Sequence, residues 1–372
     1  MSPRIYLMPL KTTAGNYAGD AVKGRGATIN IEGRFEKWAR EQTDDGWFQA
    51  LAGDEPAKPE TVVAVERVKT IITRNDSPDI GFDRSINPYR GCEHGCPFCY
   101  ARPSHAYLGL SPGIDFETRL FAKTNAAEKL REELARPGYR VEPIAIGVNT
   151  DAYQPIEREY KITRSILEVL EETRHPAHLI TKSALIERDI DVLASLARDN
   201  LASVTITVVT LNHEISRYLE PRTTAPARRL RAVEKLAAAG IPVNVNIAPV
   251  IPFLTDAELE AIMEAVANAG ARSASYTLLR LPWEVKDIFR AWLDAHYPLK
   301  AEHIMSRVRD MRGGRDNDPN FGSRMHGKGE FGELLRQRYR KGLARFGLDR
   351  PVSALDCNRF VPPSLLGQAS LF

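Results

Sequence analysis

The chain of 372 residues holds only four cysteines and 8% aromatic residues. No apolar stretch in it approaches the roughly 20 residues that a membrane-crossing helix needs. Each scarcity excludes something. Four cysteines cannot staple a chain of this length as a disulfide framework. The lack of a long apolar run argues against insertion, so no membrane partner is expected. Charge of one sign is also scarce: the net excess is +3, and composition alone neither indicates nor excludes a polyanionic partner. The opening stretch MSPRIYLMPLKTTAGNYAGD lacks the apolar core and small-residue cleavage site of a secretory leader, so a cytoplasmic location is expected.

What is present is a 43% hydrophobic chain, enough for one large domain or two. Three of the cysteines, Cys92, Cys96 and Cys99, lie together in INPYRGCEHGCPFCYARP, with the spacing C-x3-C-x2-C, while Cys357 stands far away. Thiols clustered in this way, without a leader, read as metal or cofactor ligands. Three thiolates on one short loop can hold three irons of a cubane and leave the fourth open, whereas iron–sulfur clusters usually take four cysteines. Gly91 and Gly95 allow the loop to fold tightly, and Phe98 and Tyr100 are placed to shield a cluster from water. Zinc is the rival ligand, with Cys357 or His94 completing a tetrahedral set. That alternative makes the chain a non-enzymatic zinc- or cluster-bearing nucleic-acid-binding protein.

The rest of the chain changes texture twice. Up to about residue 60 it is loosely organised, apart from the amphipathic RFEKWAREQ, which puts Phe35, Trp38 and Ala39 on one face; GDEPAKPETV suits a linker. From about residue 79, short apolar runs recur between helical patterns: PIAIGV, HLI, SVTITVVT, VNVNIAPVI and SYTLL. They lack strict alternation, as strands buried on both faces of a parallel sheet do. Leu259, Ile262, Met263 and Val266 follow helical spacing, with Thr255 and Glu258 as a capping box and Gly270 as the stop. Residues 225–239 behave alike, with Leu230, Val233 and Ala237 on one side. With a strand just before Cys92, about six βαβ units result, too few for a closed eight-unit barrel but enough for an open, partial one. Chemistry is then expected at the carboxyl ends of the strands, where the cysteine loop falls. Beyond residue 300 the rhythm breaks. Residues 306–345 hold eleven Lys/Arg against five Asp/Glu, which reads either as an anion- or nucleic-acid-binding surface or as a solvated helix and loop covering the sheet edge.

The three-cysteine motif with Phe98 before its last cysteine resembles that of the radical S-adenosylmethionine superfamily. The likeness runs from about Ile80 to Trp283 and is closest to the spore photoproduct lyase group of DNA-repair-like enzymes. It takes in NPYRGCEHGC, CYARP, ITKS, YLEPR with Arg229 downstream, and NIAPVIP. SPDIGFDRSINPYRGCEHGC, ARPSHAYLGLSPGIDFETRLFAK and NFGSRM look like an uncharacterised bacterial subfamily of that group.

The resemblance implies an α/β fold, a partial (β/α)6 radical SAM barrel over residues 76–300, with an N-terminal extension and linker (1–75) and a basic C-terminal appendix (301–372). It also implies a [4Fe–4S] cluster on Cys92, Cys96 and Cys99, bound S-adenosylmethionine, and an electron donor such as flavodoxin or ferredoxin. The chemistry it implies is reductive cleavage to a 5′-deoxyadenosyl radical that abstracts hydrogen from a substrate, a nucleic acid being one expectation. Residue by residue, Thr150 and Asp151 fall where the family holds the amino group of the methionine moiety, and Lys182 where a lysine contacts the cofactor. Thr207 or Thr210 would reach the ribose, and the backbone at Ala248–Ile251 would flank the adenosyl group. The neighbourhood GVNTDAYQP departs from photoproduct lyase, which carries there a cysteine that returns hydrogen to the product. Cys357, Tyr153 and Tyr276 are the positional candidates to replace it. His105 reads as a structural histidine, and Arg90 as a residue that bonds the loop or neutralises a cluster.

Overall fold

The structure is a computed structural model, and it describes residues 24–36, 59–350 and 354–363. In chain order its strands are β1 (Val62–Glu66), β2 (Thr73–Arg74), β3 (Arg84–Ile86), β4 (Tyr89–Arg90) and β5 (Arg119–Lys123). They continue as β6 (Ile144–Ile146), β7 (Ala177–Thr181), β8 (Ala202–Thr207), β9 (Val243–Val250) and β10 (Ser273–Leu278). Helices separate the later strands, so each joins its neighbour in parallel through a crossover. The main sheet has the order β10-β9-β8-β7-β6-β3-β2, with β2 as an antiparallel edge on β3. The six parallel strands form the open (β/α)6 arrangement. The expected strand before Cys92 is β3, and the five apolar runs are β6 to β10.

The strands β6 and β8 are buried along their whole length, as the sequence predicts, whereas β7 and β9 are not sealed on both faces. Burial alternates along β7 and β9. Leu179, Val204, Ile206, Val245 and Ile247 face the helices in the main apolar core. The opposite face is small and polar. His178 bonds Ser203 Oγ at 2.7 Å and Thr205 Oγ1 at 2.9 Å, Ser273 Oγ donates to Asn244 Oδ1 at 2.9 Å, and Ser275 Oγ donates to Asn246 Oδ1 at 3.3 Å. Burial lowers the His178 pKa to about 4, so the imidazole is neutral at pH 7. An alternating strand with one polar face lines a concave surface, and the apolar runs hid this because their polar members are Thr, Ser and Asn.

The helix Leu259–Asn268 buries Leu259, Ile262, Met263 and Val266 as its spacing predicts, and Pro226–Ala238 buries Val233. Leu230 only packs partly against the core. The capping box does not form. Thr255 Oγ1 accepts from Ile251 N at 2.9 Å, while Glu258 accepts from Thr210 Oγ1 at 2.5 Å and Leu211 N at 2.7 Å. A longer-range pairing with the end of β8 has displaced the local cap.

A second sheet, β1-β5-β4, was not legible in the sequence; β1 runs parallel to β5 and β4 antiparallel to it. The boundary expected at residue 75 falls between β2 and β3, which pair with each other. The boundary expected at residue 300 falls inside the helix Pro298–Met311. Of the helix expected over RFEKWAREQ, Trp38 and Ala39 lie outside the described residues, and Phe35 is exposed.

The basic appendix covers the sheet with its helices and pairs part of its charge, while Arg315, Arg340 and Arg345 stay exposed. Helix Pro298–Met311 puts Ile304, Met305 and Val308 into a second core with Cys96, Phe98 and Trp292. Helix Gly329–Phe346 lies on Leu259–Asn268, where Gly342 comes so close to Met263 that a Cβ would stand 2.3 Å from its sulfur. Arg309 pairs with Glu302, Arg336 with Glu333 at 2.7 Å, and Arg338 with Glu260 at 2.5 Å. Among the described residues no helix is long and apolar enough to cross a membrane.

Candidate cluster site

The cysteine loop leaves β4 at the carboxyl edge of the sheet and folds by short-range bonds. Gly95 N donates to Cys92 O at 3.3 Å, Cys99 N to Cys96 O at 3.2 Å, and Arg102 N to Cys99 O at 3.2 Å. Two glycines make these bends possible. Gly91 has φ +73° and Gly95 φ +69°, and a Cβ on Gly95 would stand 2.6 Å from Glu117 Oε2.

Buried polar side chains then fix the loop. The Arg102 guanidinium, wholly buried, donates to Cys96 O (2.8 Å), Gly95 O (3.0 Å), Pro112 O (3.0 Å) and Gly113 O (2.8 Å), and pairs with Glu117. Glu117 also accepts from Gly26 N at 3.0 Å and Ala27 N at 2.8 Å, so the N-terminal segment braces the loop from behind. Gln154 accepts from Glu93 N at 2.9 Å and donates to Gly91 O at 3.2 Å. Neither Arg102, Glu117 nor Gln154 stood out in the sequence. Arg102 lies inside the CYARP motif, and Glu117 and Gln154 lie apart from the three cysteines; their contacts run largely through backbone atoms, which leaves no spacing signal.

All three thiols are unpaired; Cys92 and Cys96 are buried and Cys99 partly so. Burial pushes the Cys96 thiol up to about 12, with Lys182 acting in the opposite sense. Burial likewise raises Cys92, and the neighbouring Asp151 charge adds to it. Three unpaired thiols carried by one short loop are the kind of donor set that an iron–sulfur cluster takes. A single tetrahedral ion fits less well. Among the described residues no three His, Cys, Asp or Glu side chains converge on one metal position. His94 turns its Nδ1 to Asp151 at 3.3 Å. Cys357 lies near Leu355 O and the charges of Glu142 and Arg84, at the entry ends of β6 and β3, and so cannot complete a zinc set with the loop.

The positions expected to touch the methionine moiety are largely occupied by the chain itself. Thr150 Oγ1 donates to Tyr89 O at 2.9 Å. The Asp151 carboxylate accepts from Tyr153 N (2.8 Å), Thr181 Oγ1 (2.6 Å) and Lys182 N (2.8 Å) as well as facing His94. Burial alone would raise its pKa, but His94 and these hydrogen bonds hold it below the usual carboxylate range. Thr210 is taken by Glu258. Lys182 points Nζ at Glu220 Oε1 (2.7 Å) and stands 5.0 Å from the centre of the Phe98 ring; Arg229 holds the other Glu220 oxygen at 2.7 Å. That buried trio keeps two cations on one anion beside the loop. Thr207 and Ala248 lie at the strand ends on the polar side of the sheet, Thr207 opposite Asn246.

The remaining expectations separate cleanly. His105 is structural: it is buried, its Nε2 meets Arg119 O at 2.9 Å, and burial lowers its pKa to about 4. Arg90 does not serve the loop but pairs with Glu66 of β1 at 2.8 Å. Tyr153 and Tyr276 both sit in the helix-side core, away from the polar face, and Cys357 is at the opposite end of the strands. None of the three replaces the hydrogen-returning cysteine. Tyr100, which follows Cys99, is half exposed, and its hydroxyl donates to Val148 O beyond β6.

The family model of the radical SAM superfamily matches residues 86–266, the stretch from β3 to the helix after β9. An uncharacterized protein of Mycobacterium bovis is 35% identical over 270 residues, covering 72% of this chain and 75% of its own length. An uncharacterized protein of Methanocaldococcus jannaschii is 25% identical over 223 residues, covering 60% of this chain and 80% of its own. Among solved structures, a spore photoproduct lyase complexed with dinucleoside spore photoproduct superposes with a TM-score of 0.56 at 16% identity, covering 76% of this chain and 79% of that one. A mutant of that lyase with bound S-adenosylmethionine and dinucleoside spore photoproduct gives 0.53 at 17% identity, covering 77% and 79%. These last two likenesses are of fold.

Proposed function

The chain belongs to the radical SAM superfamily, and on that premise we propose that Cys92, Cys96 and Cys99 hold a [4Fe–4S] cluster at which S-adenosylmethionine is cleaved reductively. The cluster, when bound, supplies the electron that splits the sulfonium into methionine and a 5′-deoxyadenosyl radical able to take hydrogen from a substrate. The observation that carries this reading is the loop itself: three unpaired thiols at the carboxyl edge of six parallel strands, locked by buried groups that bond the loop's backbone.

The chain's own part is to position and exclude. Arg102 and Gln154 fix the loop carbonyls at Gly91, Gly95 and Cys96, so the thiols keep their spacing before any metal arrives. Glu220 and Arg229 hold the Lys182 ammonium beside Phe98, where it favours anionic groups at the loop. Small residues on the polar face, among them Thr207 and Ala248, leave room there for a ligand. The electron comes from a partner of the flavodoxin or ferredoxin kind. Arg309, Arg336 and Arg338 of the basic appendix are ion-paired, whereas Arg315, Arg340 and Arg345 are exposed without a carboxylate partner among the described residues, so part of its charge is available to an anionic substrate.

The test is anaerobic reconstitution with iron and sulfide, reduction, and addition of S-adenosylmethionine, with 5′-deoxyadenosine as the readout. Cys99→Ala is expected to abolish both the cluster absorbance and that product. Retention of both would sink the ligand assignment, and stoichiometric zinc without 5′-deoxyadenosine would sink the enzyme.

A further inference from the structure

Two guanidiniums at the outer end of β10 are withdrawn from water without a carboxylate to meet them. Beyond the strand, Leu279 and Leu281 are buried, and Arg280 between them is half-buried. Among the described residues Arg280 makes one hydrogen bond, to the thioether of Met325 at 3.7 Å, and its Nε is buried with no partner. Behind it, Arg312 donates only to carbonyls, those of Leu279 (2.8 Å), Arg324 (2.7 Å) and Ser323 (3.2 Å), and its Nε is likewise buried without a partner. Burial pulls both below the usual arginine range, Arg312 to about 10.

The nearby carboxylates are already used. Asp79 is held by Arg324 and by Gly322 N at 2.6 Å, and Asp318 by Ser323 Oγ at 2.6 Å and Asn320 N at 3.0 Å. These contacts join two sequence motifs that the cluster site leaves unexplained, SPDIGFD and NFGSRM, and so bridge the turn after β2 to the segment beyond β10. The bridge holds Arg280 within electrostatic reach of Tyr100, the residue that follows Cys99. A buried cation left uncompensated costs stability, and such sites are kept where a ligand supplies the missing charge.

We propose that Arg280 is the docking point for a phosphate group of the substrate. An arginine fork with free N–H groups matches an oxyanion in two-point contact. Arg312 behind it adds a second positive charge that Asp318 offsets only in part, which favours phosphate over a singly charged carboxylate with fewer acceptor oxygens. That the anion belongs to the substrate rests on the radical reaction proposed for the neighbouring loop.

The test uses the reconstituted full-length protein without S-adenosylmethionine, so its outcome is independent of cleavage. Melting temperature is followed against inorganic phosphate, dimethyl phosphate and acetate at fixed ionic strength. Phosphate is expected to give a saturable rise that acetate does not give. Arg280→Gln should weaken the apparent affinity by about tenfold or more, the worth of one charged hydrogen bond. Its own melting temperature without phosphate should not fall, because the lost charge had no partner. Arg280→Lys, which keeps the charge and loses the fork, should bind with intermediate affinity. A response to dimethyl phosphate equal to that of phosphate marks the source as a phosphodiester, and a response to phosphate alone marks a monoester; both support the site. An equal response to acetate, no saturable response, or an unchanged response in Arg280→Gln overturns it.

Discussion

Replacing Arg102 by methionine tests whether the cysteine loop is built before it is loaded. The guanidinium is wholly buried, makes four bonds to carbonyls of the loop and its return segment, and pairs with the equally buried Glu117. Methionine fills much of the space but strands the Glu117 charge. Breaking a buried pair from one side costs about 3–5 kcal/mol. Against a total stability of about 5–15 kcal/mol, that leaves a marginal fold. Adding Glu117→Gln removes the stranded charge, and its single amide oxygen still accepts from one of the Gly26 and Ala27 N–H groups, which bond different oxygens of the carboxylate. The double variant should therefore recover at least about 1 kcal/mol relative to additivity. The assay is urea denaturation before reconstitution, so that metal binding does not enter, followed by tryptophan fluorescence; Trp292 shares a core with Cys96 and Phe98. A loss below about 1 kcal/mol in Arg102→Met, or additivity within about 0.5 kcal/mol, would refute the reasoning.

Glu220 makes a second test through pH. Burial alone would raise its carboxyl, but Arg229 and Lys182 prevail and lower it from 4.5 to about 2. A depressed folded pKa gives stability that is complete above the unfolded value and lost as pH falls through the folded one. Wild type should thus lose this share between pH 4.5 and about 2, while Glu220→Gln is weaker at pH 7 and flatter across that window. Equal acid limbs in denaturation midpoints would refute it. Cys357→Ala, remote from the loop, should leave both iron content and 5′-deoxyadenosine formation unchanged; loss of the cluster absorbance would show that its placement is misread.

The barrel was legible because its signals are local. A β-rich run followed by a helical pattern ending in glycine is written within some thirty residues, and all five runs became strands. The second sheet was not, because β1 and β5 pair directly although they stand more than fifty residues apart, with the cysteine loop in the chain between them. The capping box at Thr255 shows the opposite failure: a correct local signature was overridden when Glu258 found Thr210 and Leu211 at the end of β8. Reading the strands as sealed on both faces held for β6 and β8 and failed for β7 and β9, for a chemical reason. Threonine and serine interrupt an apolar pattern weakly, yet they turn one face of the sheet polar.

At the site, the residues easiest to carry over from a resemblance are those that structure consumes first. Thr150, Asp151 and Thr210 sit at strand ends, where unpaired backbone groups abound, and each spends its side chain on them or on a neighbouring residue. A polar group already satisfied gains little from a ligand, because binding only exchanges one bond for another. The groups with most to gain are those the chain's own side chains do not engage: the three unpaired thiols and the Arg280 Nε. Both lie at the same edge of the sheet, the thiols just before Tyr100 in the chain and Arg280 within electrostatic reach of its phenol. On the two proposals above, the loop holds a metal and the end of β10 an anionic substrate at one edge of the sheet.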